Sequence, residues 1–68
     1  MTPEQCRAAR ALVGMSQQEL ADAAEVAKAT IANFETGNRA PYKRTLTALR
    51  DAFERAGVEF TETGVRPK

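Results

Sequence analysis

Three residues, Ala24-Glu25-Val26, separate two amphipathic segments within the stretch Gln17–Thr36, and they leave the chain few ways to fold. Upstream, Leu20, Ala21 and Ala24 share one helical face; downstream, Ala27, Ile31 and Phe34 repeat at i, i+4, i+7. A connection that short allows no slack. The two helices must cross steeply and share one small core, and the alanines at 21 and 24 let their axes approach closely at the turn.

The second helix of this pair turns Lys28, Ala29, Ala32, Asn33 and Thr36 outward. These side chains are short, hydrogen-bonding or cationic, which suits a DNA major groove better than bare water. Lys28 can donate to guanine, Asn33 can pair bidentately with adenine, and the methyl of Ala29 or Ala32 can touch thymine. The net charge of +1 says nothing about such a partner, but the charge distribution does. Between residues 27 and 50, Lys28, Arg39, Lys43, Arg44 and Arg50 stand against Glu35 alone; between 51 and 62, Asp51, Glu54, Glu59 and Glu62 stand against Arg55. A basic middle and an acidic end assign one face to an anionic partner and another face to something else.

Sixty-eight residues make one domain near the lower limit for folding without staples. A lone Cys6 and no histidine rule out an internal disulfide and a four-ligand zinc site. No nucleophile stands beside a base in the pattern, and no glycine-rich phosphate loop occurs, so no enzyme activity is expected. Nor is a cofactor or small-molecule ligand. No apolar run approaches the ~20 residues of a membrane span, and MTPEQCRAAR lacks a signal core; the expectation is a cytoplasmic protein.

Two helix starts are written out locally. Thr2-Pro3-Glu4-Gln5 offers a cap, a first-position proline and a capping-box partner. Cys6, Ala9 and Val13 follow on one face, with Leu12 beside them, and Gly14 is placed to stop the helix in the left-handed region. Cys6 reads as a small core hydrophobe. Ser16-Gln17-Gln18-Glu19 is a second capping box, and Met15 is placed to staple onto Leu20. Gln17, at that helix N-terminus, either holds a backbone phosphate or is simply solvated.

The combination of Arg10, S-Q-x-E-L-A from Ser16 to Ala21, Val26, Thr30-Ile31, Glu35-x-Gly37 and Pro41 resembles the phage repressor and Cro family, the XRE-type regulators. The resemblance runs from about Glu4 to Gly57. It implies a compact all-α bundle of four or five helices, binding to operator DNA, and dimerisation. By position it implies that Gln17 and Gln18 meet phosphate or the groove edge, that Lys28, Ala29, Asn33 and Thr36 face bases, and that Arg39, Lys43 and Arg44 meet the DNA backbone. It also implies an Arg10–Glu35 ion pair between the first and third helices. Two positions depart from the pattern. Glu25 stands where the turn usually has glycine, at a cost of ~1 kcal/mol if left-handed. Ala27 replaces a serine-like cap, at about the same cost.

Beyond Gly37-Asn38 and the Arg39-Ala40-Pro41 loop, Leu46, Leu49, Phe53 and Ala56 form an apolar stripe that closes the core. Tyr42 either packs at the core edge or reaches a phosphate. After the stop at Gly57, Val58–Glu62 alternates like a half-buried strand, which can turn at Thr63-Gly64 onto Val65-Arg66, pair with a second chain, or fray. Val58 and Phe60 point the same way and are the candidate homodimer interface. The expected organisation is a DNA-binding domain over 1–57 and a strand or tail over 58–68. The expected function is a repressor acting by steric exclusion of polymerase at an operator; the rival is an antitoxin whose main partner is a protein.

Overall fold

The computed structural model describes all residues, 1–68. Four helices follow one another: α1 (Pro3–Val13), α2 (Gln17–Ala24), α3 (Lys28–Glu35) and α4 (Lys43–Arg55). Two short strands, β1 (Val58–Phe60) and β2 (Val65–Pro67), then pair antiparallel, with Val58 opposite Pro67, Glu59 opposite Arg66 and Phe60 opposite Val65. The helical bundle and its C-terminal hairpin agree with the expected fold class.

Both capping boxes form. The Thr2 hydroxyl accepts from the Gln5 N–H at 3.0 Å while the Gln5 carbonyl oxygen accepts from the Thr2 N–H at 2.9 Å. Ser16 and Glu19 repeat the exchange at 3.0 and 2.9 Å. Each satisfies two of the amide donors that a helix start leaves open. Gly14 ends α1 at φ 71°, and Glu25 ends α2 at φ 58°, the one non-glycine residue of the chain with positive φ. That turn is held by backbone bonds from Val26 N–H to Ala21 O, 3.0 Å, and from Glu25 N–H to Asp22 O, 3.3 Å.

The core draws on every helix and on β1. Cys6, Ala9, Leu20, Ala21, Ala24, Ile31, Phe34, Leu49, Ala52, Phe53 and Val58 form one buried cluster. Four details differ from the sequence reading. Ala27 is the exposed residue that caps α3, not part of its buried stripe. In α4 the buried alanine is Ala52, and Ala56 is the exposed C-cap. Leu12 lies on the solvent side of α1 at 41% exposure, because the core-facing stripe of that short helix is already filled by Cys6 and Ala9. Val58 is fully buried within its own chain, so its side chain has no surface to give a dimer.

The side-chain hydrogen bonds from α1 to the hairpin come from one residue. Buried Gln5 donates from its amide nitrogen to Thr61 O (2.9 Å) and Gly64 O (3.2 Å) while its oxygen serves the capping box. Phe60 lies against Phe53 edge-on, with ring centroids 6.0 Å apart, and the Arg50 guanidinium sits 5.1 Å above the Phe60 ring. The boundary after Gly57 thus marks a change of element, while the core continues across it.

Candidate nucleic-acid interface

Two sides of α3 determine what this surface can do. On the inner side, Glu35 is almost wholly buried, 4% exposed. Its carboxylate accepts from Arg10 Nε (2.7 Å) and Nη2 (2.8 Å), from the Gln17 amide (3.0 Å) and from the Cys6 thiol (3.1 Å). Arg10 also donates to Met15 O at 3.1 Å, and Arg7 donates to the backbone oxygen of Glu35. One carboxylate so binds α1, α2 and α3 together. Burial alone would raise the Glu35 pKa, but the hydrogen bonds from Arg10, Gln17 and Cys6 prevail and lower it from 4.5 to about 2. The Cys6 thiol goes the other way. Burial, its bond to Glu35 and the Glu35 charge push it up to about 12, so it stays a neutral donor and not a nucleophile.

On the outer side, Lys28, Ala29 and Asn33 are exposed, and Ala32 is half-buried. Ala29 and Asn33 line a groove of about 330 Å³ with Thr30, Arg39, Ala40, Pro41, Tyr42 and Thr45, so the α3–α4 loop forms its opposite wall. Tyr42 stands 73% exposed at the start of α4. Lys28 and Lys43 neighbour lining residues in the chain, and Arg44 borders an adjoining hollow with Glu25 and Val26. Neither α3 nor α4 has a side-chain cap.

The cations divide sharply. Arg7, Arg10, Arg50 and Arg66 form salt bridges with Glu4, Glu35, Glu54 and Glu59. Arg55 donates to Ala23 O and Lys68 to Glu54 O. The remaining members of the chain's ten lysines and arginines are Lys28, Arg39, Lys43 and Arg44, which have no such partner; Arg39 lines the α3–α4 groove, Arg44 the adjoining hollow, and Lys28 and Lys43 stand next in the chain to groove residues. A family model for the helix-turn-helix matches residues 7–60, most of the chain.

The chain belongs to the XRE-type helix-turn-helix family. It is a DNA-binding transcription regulator of that type. No curated protein matches it. No helix of this XRE-type protein is long and apolar enough to cross a membrane.

The geometry of the XRE-type domain gives some of the sequence-derived candidates a different setting. The Gln17 amide is committed to Glu35, so that residue supports α3 from within. Gln18 is exposed and donates to Asp22 at 2.9 Å. The Thr36 hydroxyl caps the end of α3, donating to Ala32 O (3.1 Å) and Asn33 O (3.2 Å). Arg10 and Glu35 meet, whereas Val58 and Phe60 are drawn into the chain's own packing. The hairpin contacts of Gln5, the contact of Arg7 with the Glu35 backbone and the groove position of Thr45 escaped the sequence reading. Only Gln5 carried a signal, its capping-box position, and that signal points to a local partner and not to the hairpin.

Proposed function

We propose that this protein is a transcriptional repressor that binds its operator as a homodimer, each protomer laying α3 in a major groove. The observation that carries this reading is the sorting of the cations. Arg7, Arg10, Arg50 and Arg66 are paired with carboxylates of the chain, whereas Lys28, Arg39, Lys43 and Arg44 have no acidic partner and are left for an external polyanion. In this arrangement Asn33 reads a base edge, with Lys28 beside it, while Arg39, Tyr42, Lys43 and Arg44 hold the sugar-phosphate backbone. A protomer covers only a few base pairs, so high specificity calls for two copies on half-sites about 34 Å apart. Half-buried Phe60, at the hairpin, is the residue left for that contact. Repression follows from occupancy: a dimer on a promoter excludes polymerase.

Binding to the DNA upstream of the protein's own gene, followed by anisotropy across a salt series, tests the reading. Lys28, Arg39, Lys43 and Arg44, doubled in a dimer, give a slope of log K against log salt of roughly −7. A slope near zero, or a protein that sediments as a monomer on and off its operator, would overturn the dimeric operator-binding reading.

A further inference from the structure

We propose that α3 reads a pyrimidine 5-methyl group through Ala29, at the base pair next to the one read by Asn33, so that each half-site contains two adjacent A·T pairs. This rests on α3 lying in the major groove, as proposed above. Ala29 and Asn33 stand one helical turn apart and line the same groove. Side chains so placed have Cβ atoms about 5–6 Å apart, which, on a helix inclined to the duplex axis, projects onto one base-pair step of about 3.4 Å. Asn33 offers a donor and an acceptor, the complement of adenine.

Ala29 offers a methyl group and nothing else. Against cytosine or a purine, that methyl covers polar edge atoms without pairing them, which is unfavourable. Against thymine it meets an apolar group of its own size. Ala40 and Pro41, across the groove, add apolar surface nearby. Ala32 is not equivalent, being half-buried and outside the groove. Thymine and 5-methylcytosine both carry the methyl. The structure assigns thymine, because neighbouring Lys28 is a donor and matches the thymine O4 acceptor, whereas 5-methylcytosine presents an amino group there.

The probe is the tightest duplex recovered from a random-sequence pool, remade with one thymine at a time replaced by deoxyuridine. That exchange deletes only the methyl. One position in each half-site, adjoining the adenine at which Asn33→Ala loses discrimination, should bind about fourfold more weakly, the factor for burying one methyl-sized group. With Ala29→Gly or Ala29→Ser protein, shown folded by circular dichroism, the same exchange should make no difference. 5-Methylcytosine binding as tightly as thymine at that position would overturn the thymine assignment. Deoxyuridine silent at every position, with Asn33→Ala still losing discrimination at one base pair, would overturn methyl reading and leave groove docking standing. Asn33→Ala and Ala29→Ser both indistinguishable from the parent on every duplex would overturn docking itself.

Discussion

On the inner side of α3, Glu35 receives four side-chain hydrogen bonds; on the outer side, less than a turn away, Asn33 has no side-chain partner in the chain. The helix starts divide the same way. Those of α1 and α2 carry complete capping boxes, and those of α3 and α4 carry no side-chain cap. Polar groups that set the position of α3 are satisfied within the chain, while those that face outward are held in place with their hydrogen-bonding capacity unused. A recognition surface needs both conditions. A side chain bonded internally must break that bond to bind, and one on a poorly anchored helix must be ordered at the moment of binding.

The comparison breaks most visibly at Glu35. Arg10→Met should cost ~3–5 kcal/mol, since it strands the buried Glu35 carboxylate; Glu35→Leu should also destabilise, by less, since the Arg10 it leaves unpaired is partly exposed. The double change should recover part of that loss in a thermal denaturation cycle. Strict additivity would mean that the two side chains do not act as a pair. Acid probes the same anchor without mutation. In the unfolded chain the carboxyl takes its proton near 4.5, and in the fold it resists to about 2. Within that interval the unfolded chain binds the extra proton. Stability should therefore be intact above 4.5 and fall as pH drops towards 2, by roughly 3 kcal/mol in all. In Arg10→Met/Glu35→Leu the acid limb of the stability profile should be shallower, as chemical denaturation across pH would reveal.

The outer side should respond in binding and not in stability. Asn33→Ala should lose ~1–3 kcal/mol at one base pair and relax specificity there, with its melting temperature unchanged. Lys43→Ala should weaken all sequences alike and reduce the salt slope by about 1. A panel of single-base operator variants separates the two patterns. The smallest effect sharpens the contrast between helix starts. Ala27 already has cap geometry, φ −72° and ψ 140°, without a cap side chain. Ala27→Ser should stabilise the domain by about 1 kcal/mol, measured by urea denaturation. No gain would mean that the start of α3 is not a weak point.

What could be read in advance was mostly local. The starts of α1 and α2 and the stop at Gly14 rest on residues a few positions apart, and such signals survive without knowledge of the fold. The small outward residues of α3 were legible for the same reason, since helical periodicity alone separates Asn33 from Phe34. The Arg10–Glu35 contact was accessible only through family resemblance, and the two further donors to Glu35 not at all, because nothing in Gln17 or Cys6 names a distant partner. Val58 read as a dimer-interface residue for a like reason. Whether a strand residue is buried depends on how the hairpin is docked, and docking draws on Gln5, more than fifty residues away.

That reach has a consequence for how the protein is made. Gln5 leaves the ribosome 56 and 59 residues before its partners Thr61 and Gly64. Until then α1 lacks its tie to the hairpin, and the core lacks Val58. Closing a loop of more than fifty residues is a late event, because its entropy must be lost before the contact forms. The expectation is that nascent chains stay loosely folded through the synthesis of α4 and become able to bind DNA in one step after Gly64 emerges. Stalled chains of increasing length, assayed for protease resistance, should show a single jump beyond that residue; gradual protection beginning at α3 would contradict it.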